Sequence, residues 1–298
     1  MSLFPGDSAE PREINRIQTG GRMNNFQLAG HDSVERLPDL SQLGSDLVAV
    51  SAAQRARSLS LPIFGFVAYL LSASSGCWPL AALATMFMSF VTYGSISHDL
   101  VHRTLGLSRR VNDVFLSLIE LLAVRSGHAY QAAHLHHHAR FPHEDDVEGS
   151  AARMSLPRTL LEGIVFQYRI YFWALRHAKH KRAWIIFEGV SCAAVVAVAV
   201  LAIPVTIVPV VYMGLMIAGS WIIPLITSYI PHDAKATDAL HQTRAFRGRV
   251  ASIIALEHLY HLEHHLYPGV PHHHWPTLAR RLDPYLEAAG IRPVKLWF

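Results

Sequence analysis

The sequence predicts an all-α integral membrane protein, with four transmembrane helices in two hairpins and a helical cap on the cytosolic side. Three observations lead there. Of 298 residues, 51% are hydrophobic and only 16% charged, a balance unusual for a chain dissolved in water. The apolar residues are concentrated in two blocks, 60–97 and 184–230, as membrane spans require. The polar remainder is basic and holds all 20 histidines.

The first 45 residues are polar, with Gly, Pro, Asn and charges scattered through them, and lack the apolar core of a secretory signal. Residues 1–45 therefore read as a cytosolic N-terminal tail and 46–298 as the membrane domain. The first apolar block is too long for one span of about 20 residues and is broken at 72–76, giving spans at about 58–75 and 78–97. The second block breaks at Pro204, giving spans at about 184–203 and 205–230. The turns near 74–79 and 202–205 carry no Lys or Arg, whereas the opposite flanks carry Arg55, Arg57, Arg103, Arg109, Arg110, Arg125, Arg176, Lys179, Lys181 and Arg182. Positive charge is retained on the inner side. Both termini and the stretch 98–183 are expected in the cytosol, with the cell inner membrane as the location.

Within that stretch, 111–124 is apolar over too short a length to cross and reads as a re-entrant or interfacial helix. Residues 156–176 interleave Phe166, Tyr168, Tyr171, Phe172 and Trp173 with Arg158, Glu162 and Arg169, the pattern of a helix lying along a surface. Cys77 and Cys192 lack metal or redox spacing and read as small buried hydrophobes. The net charge of +4 comes without any nucleic-acid-reading motif, so it reads as juxtamembrane charge.

The histidines carry the chemistry. HDLVH puts His98 and His102 four apart, on one helix face. HLHHH places His134, His137 and His138 at i, i+3 and i+4, and HLEHH repeats the pattern with His261, His264 and His265. All three boxes fall on the same side of the four spans. Neutral imidazole suits iron, zinc, copper or nickel, and eight ligands exceed what one closed site uses. The economical reading is two metals. Candidates to take the far ring N–H of a ligand are Asp99, Glu144, Asp145, Asp146, Asp233 and Glu263. His136, His258 and His272 to His274 fall outside the register of the boxes, and Trp275 reads as an interfacial anchor. There is no HExxH motif and no Glu-x-x-His pair.

The order HxxxH, HxxHH, HxxHH around paired hairpins resembles the membrane fatty-acid desaturase and hydroxylase superfamily over roughly residues 60–295. HDLVHR with Arg110 and Asn112, HLHHH with HEDDVEG, SYIPHD, and YHLEHHLYPGVP are most similar to bacterial and cyanobacterial β-carotene hydroxylases. The resemblance implies a cap holding two iron ions, with His232 of YIPHD as a ninth ligand, and dioxygen as co-substrate. It implies oxidation of an unactivated C–H bond in a lipophilic substrate from the bilayer: carotenoid-ring hydroxylation first, with fatty-acyl desaturation as the alternative and ketolation as a further one. The chain has no haem extension, Gly-rich dinucleotide fingerprint or cysteine cluster, so a ferredoxin-like external electron donor is expected. Relatives often carry Asn where this chain has Leu259 and Arg where it has Asp233, and the acidic run lacks Asp-Pro-Asp. A metal transporter, the reading from another class, would place ligands near the bilayer midplane, where this sequence has no His.

Overall fold

The computed structural model of the protein describes residues 37–248 and 259–296. Among the described residues, four helical segments are long and apolar enough to cross a membrane: Ala52–Ser74, Trp78–His102, Lys179–Leu201 and Val208–Tyr229. Before the first lies α1 (Leu40–Leu43), followed by a 3-10 turn at Ser45–Val48. Leu43 and Leu47 are buried against the C-terminal part of the chain, and Arg281 donates to the Leu43 carbonyl at 2.6 Å. The folded body thus reaches into the stretch expected to be a tail. The cause is the apolar stripe of Leu37, Leu40, Leu43 and Leu47.

Helix α2 (Ala52–Ser74) starts well before residue 58 because Ser51 caps it. Gln54 N donates to Ser51 Oγ at 3.2 Å and Ser51 N donates to Gln54 Oε1 at 2.9 Å, so the helix is nucleated ahead of its apolar part. Gly76, at φ 77°, turns the chain, and Pro79 sits in the first turn of α3 (Trp78–Val91). α3 does not stop at 97. It widens into a π-turn at Thr92–Ile96 and continues as α4 (Ser97–His102) until Arg103 adopts a left-handed φ of 58°. The first histidine pair therefore ends the second span itself.

Next come α5 (Arg109–Leu122), α6 (Gly127–Arg140) and α7 (Leu156–His177). α5 buries Leu116 and Ile119 while exposing Val111, Val114 and Leu118; α7 buries Phe166, Ile170 and Ala174 while exposing Leu161, Ile164, Tyr168 and Phe172. Apolar residues on both faces suit helices bedded between protein and lipid headgroups. At Gly163 a Cβ would strike the Trp221 backbone, so α7 passes close under residues 220–222. The third and fourth spans contain α8 (Arg182–Leu201) and α9 (Val208–Gly219), the latter segment ending in a π-turn at Leu225–Tyr229. Short helices α10 (Ala239–Gln242) and α11 (His261–Leu266) lead to α12 (Trp275–Ala288), and β1 (Phe246–Arg247) pairs in parallel with β2 (Val294–Lys295).

The solvent of the spans is legible from their surface. Phe64, Leu71, Leu83, Met86, Phe187, Val190 and Val198 are all exposed, far more apolar surface than a soluble monomer leaves to water. Several polar groups inside cross-link the helices. Tyr69 Oη donates to the Val208 carbonyl and Tyr212 Oη to the Leu122 carbonyl, both at 2.6 Å, joining α2, α9 and α5. Glu188, buried in the third span, accepts from Ser126 Oγ at 2.6 Å and His128 N at 3.0 Å, and its other oxygen stands 2.7 Å from His128 Nδ1. That carboxylate ties α8 to α6.

Behind the π-turn, Arg125 Nε donates to Glu120 Oε2 at 2.8 Å and its Nη2 donates to Thr92 Oγ1 at 3.2 Å. Both charges are buried. Removing one partner of such a pair leaves a buried charge uncompensated, at a cost of about 3 to 5 kcal/mol. Arg125→Met should therefore lower the thermal unfolding midpoint in detergent steeply, and Glu120→Gln combined with Arg125→Met should recover much of the loss. Equal midpoints for the single and double variants would contradict the pairing.

Candidate metal centre

α4 supplies His98 and His102, α6 supplies His134, His137 and His138, α11 supplies His261, His264 and His265, and His232 follows the fourth span. Among the described residues these rings gather as two groups: His98, His102, His134, His138 and His264 in one, and His137, His232, His261 and His265 in the other. In each group the potential ligand atoms lie within 4.8 Å of one another. The nine rings picked out by spacing and resemblance are thus brought together.

The partition has a helical cause. Residues i and i+4 differ by about 40° around an α-helix, whereas i+3 lies about 60° to the other side. His134 and His138 accordingly face the first group and His137 the second; in α11, His261 and His265 face the second and His264 the first. Each HxxHH box spans both groups. The backbone beneath the first box is held from outside, since Asn112 Nδ2 donates to the Leu100 carbonyl at 2.8 Å and Gln131 Nε2 to the Val101 carbonyl at 2.9 Å. These side chains brace carbonyls in the last turn of α4.

The far sides of three rings are fixed by acceptors. His134 Nδ1 lies 3.0 and 3.1 Å from the two Glu148 oxygens, His137 Nδ1 lies 2.8 Å from Asp146 Oδ2, and His232 Nδ1 lies 3.1 Å from the Ser228 carbonyl. An acceptor on that side holds the proton on Nδ1 and leaves Nε2 with a lone pair. His137 Nε2 and His232 Nε2 face each other at 3.2 Å, and with both rings neutral in that tautomer two lone pairs oppose. Such opposed acceptors are unfavourable unless a cation joins them. The Nε2 pairs His98–His264, His134–His138 and His261–His265 stand at 3.0, 3.1 and 3.2 Å. A metal with nitrogen bonds of about 2.1 Å holds its ligand atoms about 3.0 to 3.4 Å apart. His102 Nε2 is buried with no hydrogen-bond partner among the described residues. The residues therefore fit metal ions that accept nitrogen donors.

Burial holds the rings of His138, His232, His264 and His265 well below the usual imidazole range, and neighbouring rings add to the effect. Burial also opposes charge on His137, but the Asp146 carboxylate outweighs it and lifts that ring above its ordinary value. Burial would raise Asp146, yet His137 and the Gly149 N–H hold it low.

Of the acidic candidates, Asp146 contacts a grouped ring, and the partners of the others lie elsewhere. Asp145 is exposed and pairs with Arg140 at 3.1 Å, Asp233 accepts from Lys235 N in a turn at 3.0 Å, and buried Glu263 pairs with Arg247 at 2.7 Å. Glu144 lies at the surface. Nearness to a box in sequence does not bring these candidates to a ring: Glu144, Asp145 and Asp233 lie outside helices and face solvent or other partners, and Glu263 is on the face of α11 that meets Arg247. Glu148 was missed. Its signal was the alternation of Asp146 and Glu148 after the box, closed by Gly149, where a Cβ would collide with the Asp146 carboxylate and His137 Nδ1.

Asp99 serves a different ring: its oxygens accept from His272 N at 3.0 Å and stand 2.6 Å from His272 Nδ1. Asp99, His272 and His273 come close together, but with both carboxylate oxygens engaged by His272 they form a cross-link between α4 and the C-terminal segment. That cross-link seats Trp275, which is no interfacial anchor. It is 2% exposed, and its ring packs 5.3 Å from that of His98 and 5.1 Å from that of His264. His136 lies at the surface near Asp145, and His258 lies outside the described residues.

An apolar cavity of about 180 Å³ lies between the second and fourth spans, with Met86, Tyr93, Gly94, Gly219, Trp221 and Ile226 in its wall. Met86 and Trp221 are also exposed on the outer surface of the spans, so the cavity reaches the side that faces lipid.

Two outcomes follow. A carboxylate behind a ligand imidazole typically carries about 10- to 100-fold of metal affinity, so Glu148→Ala should weaken metal retention by that order in a chelator competition while Glu144→Ala should not. For the metal-free protein, the four rings lowered from 6.5 stay neutral when folded but bind protons when unfolded. Their contribution to stability is present above pH 6.5 and is lost as the pH falls through the lowered folded values; His137, shifted upward, opposes with one ring against four. The melting temperature of chelator-treated protein should therefore decline from pH 7 towards pH 5; a rise over that interval would contradict the burial of neutral rings.

Comparison with known proteins adds the last element. No match is found among curated proteins. The family model described as fatty acid desaturase matches residues 73–297, from the end of the first span through all nine grouped histidines. A membrane protein built of helices, with clustered nitrogen ligands at the ends of its spans and that match over most of its length, belongs to the fatty acid desaturase family and is by that membership an oxidoreductase.

Proposed function

We propose that the protein is a di-iron oxygenase of the membrane, using dioxygen and external electrons to oxidise an unactivated C–H bond of a lipophilic substrate. The observation that carries this reading is the gathering of nine histidine rings into two separate nitrogen groups, with His137 Nε2 and His232 Nε2 3.2 Å apart across the second. His98, His102, His134, His138 and His264 would hold one iron, and His137, His232, His261 and His265 the other. Bound iron supplies the redox chemistry that no side chain can perform. The chain's own part is to keep the rings neutral and oriented. Asp146, Glu148 and the Ser228 carbonyl hold protons on the far nitrogens, and burial of the rings keeps bulk water away.

The spans are read as two hairpins with both termini and the histidine groups on the cytosolic side of the inner membrane, following the distribution of Lys and Arg. Substrate would come from the lipid through the apolar cavity. A ferredoxin-like acidic donor would dock on the basic cytosolic face, with a salt-dependent rate. Motif likeness favours hydroxylation of a carotenoid ring; membership of the desaturase family favours acyl desaturation as the second reading. Metal transport fits poorly, because the grouped rings stand at the ends of spans and not at their middle.

Expression in cells that accumulate β-carotene, with pigments and acyl lipids analysed together, separates these. Hydroxylated pigment is the expected product, and a carbonyl at the ring would identify ketolation. Altered acyl unsaturation with unchanged pigment would replace the first substrate by the second, and no oxidised lipid of either kind would contradict the oxygenase.

A further inference from the structure

One residue links the apolar cavity to the first histidine group. Tyr93 stands in the cavity wall, and its hydroxyl donates to Glu148 Oε1 at 3.1 Å. Glu148 in turn holds His134 Nδ1, at 3.0 and 3.1 Å. Two hydrogen bonds therefore separate the cavity wall from a ring of the five-membered group. The path is buried throughout: Tyr93 is 4% exposed, Glu148 3% and His134 3%.

The tyrosine is held so that little but its hydroxyl contact can change. Its ring stacks on Tyr130 at 4.4 Å, its carbonyl accepts from Tyr130 Oη at 3.1 Å, and the Arg125 guanidinium lies 5.1 Å from its ring centre. Its backbone belongs to the π-turn at Thr92–Ile96, the one widened turn in the helix that runs from the second span into the first box. Widened turns recur at functional sites because they redirect side chains within a continuous helix. Here the turn points one residue at the cavity and at the carboxylate behind a ligand.

We infer that Tyr93 is a positioning residue that makes the state of the first metal site depend on whether the cavity is filled. An apolar chain in the cavity presses on the Tyr93 ring, the hydroxyl shifts against Glu148, and the carboxylate's hold on His134 changes, altering the basicity of that ligand. The effect needs a different hydrogen-bond geometry in the filled and empty states, since a ligand shifts an equilibrium only through differential interaction. This rests on the reading that the histidine groups hold metal and that the cavity takes a lipophilic substrate.

The test uses the full-length protein in detergent, loaded with Co(II) as a spectroscopic metal and exposed to octadecane. Octadecane should shift the cobalt absorption bands of the wild type. Tyr93→Phe keeps the ring and its stacking but lacks the hydroxyl, and Glu148→Gln weakens the same link; at concentrations where calorimetry and metal analysis show octadecane and cobalt both bound, the bands of either variant should show no shift on octadecane addition. A shift in both variants equal to that of the wild type would overturn the coupling while leaving the metal and substrate readings intact, as would octadecane binding to the wild type without any change of its bands. Failure of the wild type to take up cobalt or to bind octadecane would instead remove the underlying reading, and the coupling with it.

Discussion

Two imidazole nitrogens, Nε2 of His137 and Nε2 of His232, face each other 3.2 Å apart in a buried place, with their far sides committed to Asp146 and the Ser228 carbonyl. Most of the architecture can be understood as the means of keeping such rings neutral, dry and convergent. Two spans end at the cluster, so the ends of these helices set where His98, His102 and His232 stand. Helix α6 and the acidic turn after it bring both the rings and the carboxylates that orient them. Trp275, seated by the Asp99–His272 cross-link, packs over the first group from the C-terminal side.

The spacing of the boxes does more than gather ligands on one face. Because i+3 and i+4 diverge around the helix axis, α6 gives two rings to one group and one to the other, and α11 does the reverse. Each helix therefore ties the two groups together. A tilt of α6 or α11 would disturb both groups at once, which accounts for the number of contacts that hold their surroundings: Asn112 and Gln131 on the first box, Gly149 behind His137, and the buried Arg125 and Glu120 pair behind the π-turn.

Much of this was legible in the sequence, and the reasons are physical. Apolar block length locates spans, and the nine histidines announce themselves by periodicity and by likeness to a family. What escaped was set by tertiary contact. The span ends moved because Ser51 nucleates α2 early and because the π-turn carries α3 through into α4. Asp145 and Asp233 lie outside helices and pair elsewhere, and Glu263 meets Arg247, whereas Glu148 and Asp146 reach back from a turn whose path no local pattern reveals. Trp275 looked like an interfacial residue for the same reason: its partners His98 and His264 are brought to it by a fold and not by spacing.

The central claim is that two separate nitrogen groups each hold an iron. Iron content and Mössbauer spectra of the purified full chain test it most directly, with His102→Ala to disable the first group and His261→Ala to disable the second. The account predicts about two irons per chain in the wild type, one for each group, and loss of about one in either variant. A single iron in the wild type that either substitution abolishes, or iron content that neither substitution changes, would contradict it.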